Sequence, residues 1–143
     1  MTAPQERLIL HASCVAVQNK AVLILGPSGA GKSALALQLM ALGADLVADD
    51  RTEISAENGR AIARCPAAIL GLIEARGIGI LRMAALPEAA VVLVVDLGQA
   101  ETDRLPPRRH VSVAGITVDL VLGPISGHFS AAVFCYLQGH RQE

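Results

Sequence analysis

Residues 21–33 read Ala21-Val22-Leu23-Ile24-Leu25-Gly26-Pro27-Ser28-Gly29-Ala30-Gly31-Lys32-Ser33, and this stretch decides the fold. An apolar run of strand length leads into G-x-x-x-x-G-K-[ST] with every fixed position filled, and a helix-forming stretch, Ala34 to Leu42, follows at once. Strand, loop and helix in that order are the context a phosphate-binding loop needs. Its glycines let successive backbone N–H groups converge on one anion, and the helix adds the positive end of its dipole. Gly26, Pro27, Ser28, Gly29, Ala30, Gly31, Lys32 and Ser33 are therefore the candidate nucleotide-binding residues. Lys32 is expected to reach the β and γ phosphates, and the Ser33 hydroxyl to serve Mg²⁺.

Outward from the loop, Lys32 to Leu42 carries Leu35, Leu39 and Leu42 on one expected face, with Gly43 as a left-handed cap. Leu46-Val47-Ala48 then starts a strand that ends in Asp49-Asp50. A right-handed strand, helix, strand unit brings the carboxyl ends of both strands to one edge of the sheet, so the acidic pair is expected beside the phosphate loop. Two adjacent carboxylates repel unless a cation lies between them, which favours a metal or catalytic role. Asp96, closing the apolar run Ala89 to Val95, is the competing acidic strand end; on pattern alone a structural turn there is as good an account.

Before the loop, Arg7 to Val17 reads as one strand and Gln18-Asn19-Lys20 as the turn into the next. Past Arg51 the chain shifts to short alternating strands, with Asn58-Gly59 and Ala114-Gly115 as tight hairpin turns. Ala68 to Met83 is a loop and strand region holding Glu74 and Arg76. Ala89 to Asp96 is a central buried strand, and Gln99 to Arg109 a loop. Ser126 is the expected cap of a last helix with Phe129, Val133 and Tyr136 or Leu137 on one face. Arg108-Arg109-His110 reads as a solvated loop.

At 143 residues the chain is expected to form one domain, 1–143. It is 52% hydrophobic with no Trp, one Tyr and two Phe, so the core must be built from Ala, Val, Leu and Ile. A net charge of −1 gives no electrostatic reason to expect nucleic acid or an anionic membrane. Cys14, Cys65 and Cys135 are odd in number and far apart, which indicates neither disulfides nor a zinc site and leaves them as small buried hydrophobes. No apolar run is long enough to span a bilayer, and a cytoplasmic protein is expected.

The residues from Gly26 to Leu37, the strand Leu46-Val47-Ala48-Asp49-Asp50-Arg51-Thr52-Glu53-Ile54 and the segment Ile73-Glu74-Ala75-Arg76-Gly77-Ile78-Gly79-Ile80 together resemble the catalytic domain of HPr kinase/phosphorylase. His11 stands where that family has a histidine ahead of the loop. The resemblance implies an α/β fold of the phosphoenolpyruvate-carboxykinase-like kind: a P-loop nucleotide-binding core with a mixed sheet and antiparallel flanking strands. It implies ATP- and Mg²⁺-dependent phosphorylation of a serine in the phosphocarrier HPr, part of phosphotransferase-system regulation, and in reverse the phosphorolysis of phosphoserine-HPr. Within it Asp49 is the catalytic acid/base, tuned by His11, with Lys32 on the nucleotide phosphates. Ser33, Asp50 and Glu74 are the Mg²⁺ contacts, Arg76 a candidate contact to substrate or phosphate with His128 as this chain's substitute where the family has an arginine, and the assembly a homo-hexamer.

The chain departs from the family pattern in two ways. It resembles a short form without the N-terminal domain of longer members, and Gly123 to His128 lacks the arginine of the family's later R-P-G-R-like segment. Phosphorolysis is accordingly expected to be weaker, relative to the kinase reaction, than in longer members. Two other readings of the same loop stay open on the residues alone: a small-molecule kinase on the same core, or a nucleotide-dependent switch that transfers nothing.

Overall fold

Alternation of apolar side chains sets the middle of the sheet. In β3 (Lys20–Leu25), Ala21 and Leu23 point to one side and Val22 and Ile24 to the other, and all four are fully buried. A strand buried on both faces must be covered on both. A computed structural model describes residues 7–123 and 126–142 of this α/β protein.

The strand expected over Arg7 to Val17 is two strands, β1 (Leu8–Leu10) and β2 (Ser13–Val17). The chain breaks at His11-Ala12 because the two halves have different partners: β1 pairs with β5 (Thr52–Glu57), whereas β2 lies between β3 and β4 (Asp45–Ala48). Gln18 and Asn19 form the β2–β3 turn, both with positive φ, so Lys20 is already strand. After the loop come α1 (Lys32–Leu42), then β4, β5 and β6 (Arg60–Arg64), with the expected Asn58-Gly59 turn between the last two. A turn of 3-10 helix (Ala67–Ile69) leads to a separate two-stranded sheet, β7 (Leu72–Ala75) with β8 (Gly79–Arg82). Then follow β9 (Ala89–Ala100), the hairpin β10 (Arg109–Val113) and β11 (Ile116–Gly123), and α2 (Phe129–Gln138).

The main sheet has nine strands, in the order β1-β5-β6-β9-β3-β2-β4, with β11 on β9 and β10 beyond it. Among the strands of the described residues, only β3–β9 and β9–β11 are parallel pairs. β3 and β4 run the same way but are not neighbours, since the antiparallel β2 lies between them. Their carboxyl ends still share an edge, as expected, and the amino end of β2 joins them there. The β2–β4 ladder carries a bulge: Cys14 pairs with Ala48 but Val15 pairs with Leu46, leaving Val47 extra.

Both helices cover one face only. Leu35, Ala36 and Leu39 of α1 and Val133 and Leu137 of α2 pack there on Val15, Val22, Ile24, Leu93 and Val95. Leu42, expected on the same face, is 46% exposed, because the apolar face of α1 closes at Leu35, Ala36 and Leu39. The opposite core, with Cys14, Leu23, Val47, Ile54, Val94, Val113 and Val118, contains no helix residue; outer strands of the sheet close over it instead. Neither core buries an aromatic ring fully; Phe129, Phe134 and Tyr136 pack partly buried against the helix-covered one. His128, not Ser126, occupies the N-cap position of α2; Ser126 contributes its carbonyl to the Phe129 N–H. Of the three cysteines Cys14 alone is buried; Cys65 is half-buried and Cys135 lies on the exposed side of α2.

Candidate active site

The phosphate loop opens at the end of β3 and closes into α1. Gly31 takes φ 99°, a left-handed conformation that a residue with a Cβ adopts only under strain, and it caps α1 without a side chain. The first-turn amides of α1 are thereby left to face a ligand. Lys32 folds back over the loop: its Nζ donates to the carbonyls of Gly26, at 2.7 Å, and Pro27, at 3.2 Å. An ammonium satisfied by two backbone oxygens has been positioned and can exchange them for phosphate oxygens.

At the end of β4 the chain turns sharply. The Arg51 N–H donates to the Asp49 carbonyl at 2.8 Å, an i to i+2 bond that makes a γ-turn with Asp50 at its centre, φ 69°. The positive-φ form of this turn is rare and strained. Strain of this kind persists where neighbours hold it, and here the Ala12 N–H donates to the Asp50 carbonyl at 3.1 Å while Thr52 Oγ1 donates to the Ala12 carbonyl at 2.9 Å.

The turn sends the two carboxylates in different directions. Asp49 is only 6% exposed, and its Oδ1 accepts two hydroxyl bonds, from Ser33 at 2.7 Å and from Ser13 at 2.6 Å. Its Oδ2 accepts the Glu74 backbone N–H at 3.1 Å. Asp50 is exposed and lines a cavity of about 380 Å³ with Ser28, Gly29, Gly31, Lys32, Ser33, Glu74 and Arg76. Phosphate loop, metal candidates and one arginine thus meet in one place. Asp96, the rival acid, is not part of it; it ends the apolar run but not the strand, since β9 continues to Ala100, and its carboxylate accepts from Gly98 N–H at 2.8 Å and Gln99 Nε2 at 2.7 Å on the same strand.

His11 lies at the break between β1 and β2 with an exposed side chain, not within an apolar strand as the sequence suggests. It reaches the site through its neighbour Ala12, which binds the Asp50 carbonyl. His128 is exposed at the start of α2 and does not line the cavity; residues 124 and 125 of the arginine-less segment lie outside the described residues. Cys65 lies close enough to feel the site: burial, and then the carboxylates of Glu53 and Asp49, push its thiol pKa up. Two contributors escaped sequence reasoning, the Ser13 hydroxyl and the Glu74 amide, because a serine in an apolar strand and a backbone N–H carry no pattern of their own.

The oxygen donors fit Mg²⁺. Ser33 gives its hydroxyl proton to Asp49 and keeps lone pairs for a cation, while Asp50 and Glu74 supply carboxylates on the same cavity. Among the described residues no three Asp, Glu, His or Cys side chains form a metal cage.

The family model for the HPr serine kinase C-terminal domain matches residues 3–126. The chain is 37% identical over 142 residues to the HPr kinase/phosphorylase of Aromatoleum aromaticum and 35% identical over 142 residues to that of an Azoarcus species. Each alignment covers 90% of this chain but 45% of the relative, so the chain spans less than half the length of these relatives. The structure of the Hpr(Ser) kinase/phosphatase from Coxiella burnetii superimposes with a TM-score of 0.79 at 28% identity, covering 93% of this chain and 95% of that one. Sequence, fold and the setting of the phosphate loop agree, and the chain belongs to the HPr serine kinase C-terminal domain family.

Proposed function

We propose that this chain, as one catalytic domain over residues 1–143, transfers the γ-phosphoryl group of ATP to a serine of the phosphocarrier HPr with Mg²⁺ as cofactor. The observation that carries this reading is the convergence of Lys32, Ser33, Asp50, Glu74 and Arg76 on one cavity, with Asp49 bonded behind Ser33. Phosphoryl transfer asks chiefly for charge neutralisation and an oriented nucleophile. Lys32 and the loop amides hold the nucleotide phosphates, and Arg76 offers a second cation to the incoming group. Mg²⁺, when bound, offsets the charge on the transferring phosphate; Ser33, Asp50 and Glu74 are the residues available to hold it.

The geometry favours a division between the two aspartates different from the one that the resemblance implies. A general base must come within hydrogen-bond reach of the acceptor hydroxyl. Asp50 faces the cavity, whereas Asp49 is buried with both oxygens already accepting bonds. In this reading Asp50 takes the proton from the acceptor serine as that oxygen bonds to the γ phosphorus and the bond to the bridging oxygen breaks, releasing ADP. Asp49 instead orients Ser33 toward the metal, and His11 is the neighbour of Asp50. In phosphorolysis inorganic phosphate takes the place of the nucleotide: its oxygen bonds to the phosphoserine phosphorus, the bond to the serine oxygen breaks as Asp50 returns the proton to it, and pyrophosphate leaves.

The test is label transfer from radioactive ATP to purified HPr, beside a panel of small acceptors. Serine-phosphorylated HPr is expected, with Lys32→Ala abolishing transfer. Asp50→Asn should lower turnover by about 10²–10⁴-fold at saturating Mg²⁺ and with ATP still bound, a loss that added metal does not restore, and Asp49→Asn should raise the Mg²⁺ requirement, a loss that added metal does restore. The opposite pattern would return the base to Asp49. Label on a small acceptor would make the protein a metabolite kinase, and ATP binding without transfer a switch.

A further inference from the structure

Ser13 is fully buried at the amino end of β2, in a strand whose other residues are Cys, Val and Ala. A hydroxyl in such a place must find partners, since an unsatisfied buried polar group is costly. Its partners are both at the aspartate turn. Ser13 Oγ donates to Asp49 Oδ1 at 2.6 Å, and the Asp50 backbone N–H donates back to Ser13 Oγ at 3.4 Å. The one hydroxyl thus fastens both residues on either side of the peptide bond at which the chain enters its strained turn.

Each of the other fastenings does less. Ser33 holds Asp49 by the same oxygen but belongs to the phosphate loop, and its own oxygen is wanted by the cation. The Glu74 amide holds Oδ2 from a separate two-stranded sheet. Ala12 holds the Asp50 carbonyl, which fixes where the turn leaves and not where it begins. Among the described residues Ser13 alone bonds both the Asp49 side chain and the Asp50 backbone, and it sits on a strand paired on both sides, with Ile24 opposite it on β3.

We propose that Ser13 is a positioning residue for phosphoryl transfer: its hydroxyl, donating to Asp49 and accepting from the Asp50 amide, fixes the turn that aims the Asp50 carboxylate into the cavity. The proposal rests on the reading of Asp50 as the base. Loss of the hydroxyl removes no contact of the loop amides or of Lys32 and leaves Ser33 its bond to Asp49, so ATP binding is preserved. What changes is the fraction of time in which Asp50 meets the acceptor, a loss confined to turnover.

Three variants test it in the full chain. Ser13→Ala is expected to lower kcat about tenfold or more, the scale of a hydrogen bond to a charged group, with KM for ATP and nucleotide affinity unchanged. Ser13→Thr keeps the hydroxyl and is expected to restore most of kcat, while Ser13→Val, which has the shape of Thr without the hydroxyl, is not. Hydrogen exchange at the Asp50 amide, which needs no acceptor substrate, is expected to speed up in the Ala and Val variants and not in Thr. Thermal unfolding of each variant separates folding loss from misplacement. Wild-type kcat and unchanged Asp50 exchange in Ser13→Ala would overturn the proposal. So would equal loss of kcat in Thr and Val at matched stability. Should Asp50→Asn transfer phosphate normally, the base assignment fails, and the exchange result still decides whether Ser13 holds the turn.

Discussion

Asp50 occupies a backbone conformation that suits an aspartate better than most side chains and suits glycine best. Folding alone does not call for a charged residue there. Asp50→Gly is expected to stay within about 1 kcal/mol of the parent, relief of strain being offset by the freer unfolded chain. Asp50→Val, β-branched at φ 69°, should cost about 1–2 kcal/mol. Both should lose phosphate transfer, so denaturant unfolding beside the HPr assay separates the strain from its use. The sequence exposes much of this. Gly-Lys-Ser at 31–33 and the Asp49-Asp50 pair are legible because each breaks an apolar pattern at a strand end. Which aspartate faces the cavity is not, because the bulge at Val47 and the γ-turn at Asp50 set the two side chains and neither has a signature in the residues themselves.

At the level of elements, α1 shows how far periodicity carries. Its limits, Lys32 to Leu42, and its glycine stop follow from the sequence; Gly43 and Ala44 donate to the carbonyls of Met40 and Leu39 as a left-handed cap should. Its face does not follow, since Leu42 lies one step beyond the buried row. Leu39→Ala is therefore expected to cost about 2–5 kcal/mol, and Leu42→Ala no more than about 0.5 kcal/mol, both read from chemical denaturation. Strand pairing was the harder matter. Hairpins with short Asn or Gly turns are local and legible, but the placement of β2 between β3 and β4 rests on contacts distant in sequence. The bulge at Val47 matters most here. Continued one step beyond Cys14 and Ala48, the shifted register sets Ser13 opposite Asp49, on the face where α1 packs. Without the extra residue Ser13 would face Ala48, and Asp49 would point into the other core.

For the molecule as a whole, two cores on opposite sides of one sheet give the cysteines three different fates. Burial pushes the pKa of the Cys14 thiol up and shuts it off from solvent in the strand-lined core. A thiol reagent is expected to modify Cys135 quickly, Cys65 more slowly, and Cys14 only when the protein unfolds, which mass spectrometry of timed labelling would show. Early reaction at Cys14 would mean that this core opens locally. Composition told that the interior is Ala, Val, Leu and Ile; it did not tell that strands, not helices, close one side, because a sheet's curvature has no signature in a single strand. β9, the strand that borders β3, also has an implication for synthesis. Ser13, Lys32, Ser33, Asp49, Asp50, Glu74 and Arg76 have all left the ribosome before Ala89 does, yet β3 and β6 keep an open edge until β9 slots between them. The site's groups are made first and the strand that aligns them arrives late, so a growing chain carries every chemical part of the proposed site well before that site is assembled.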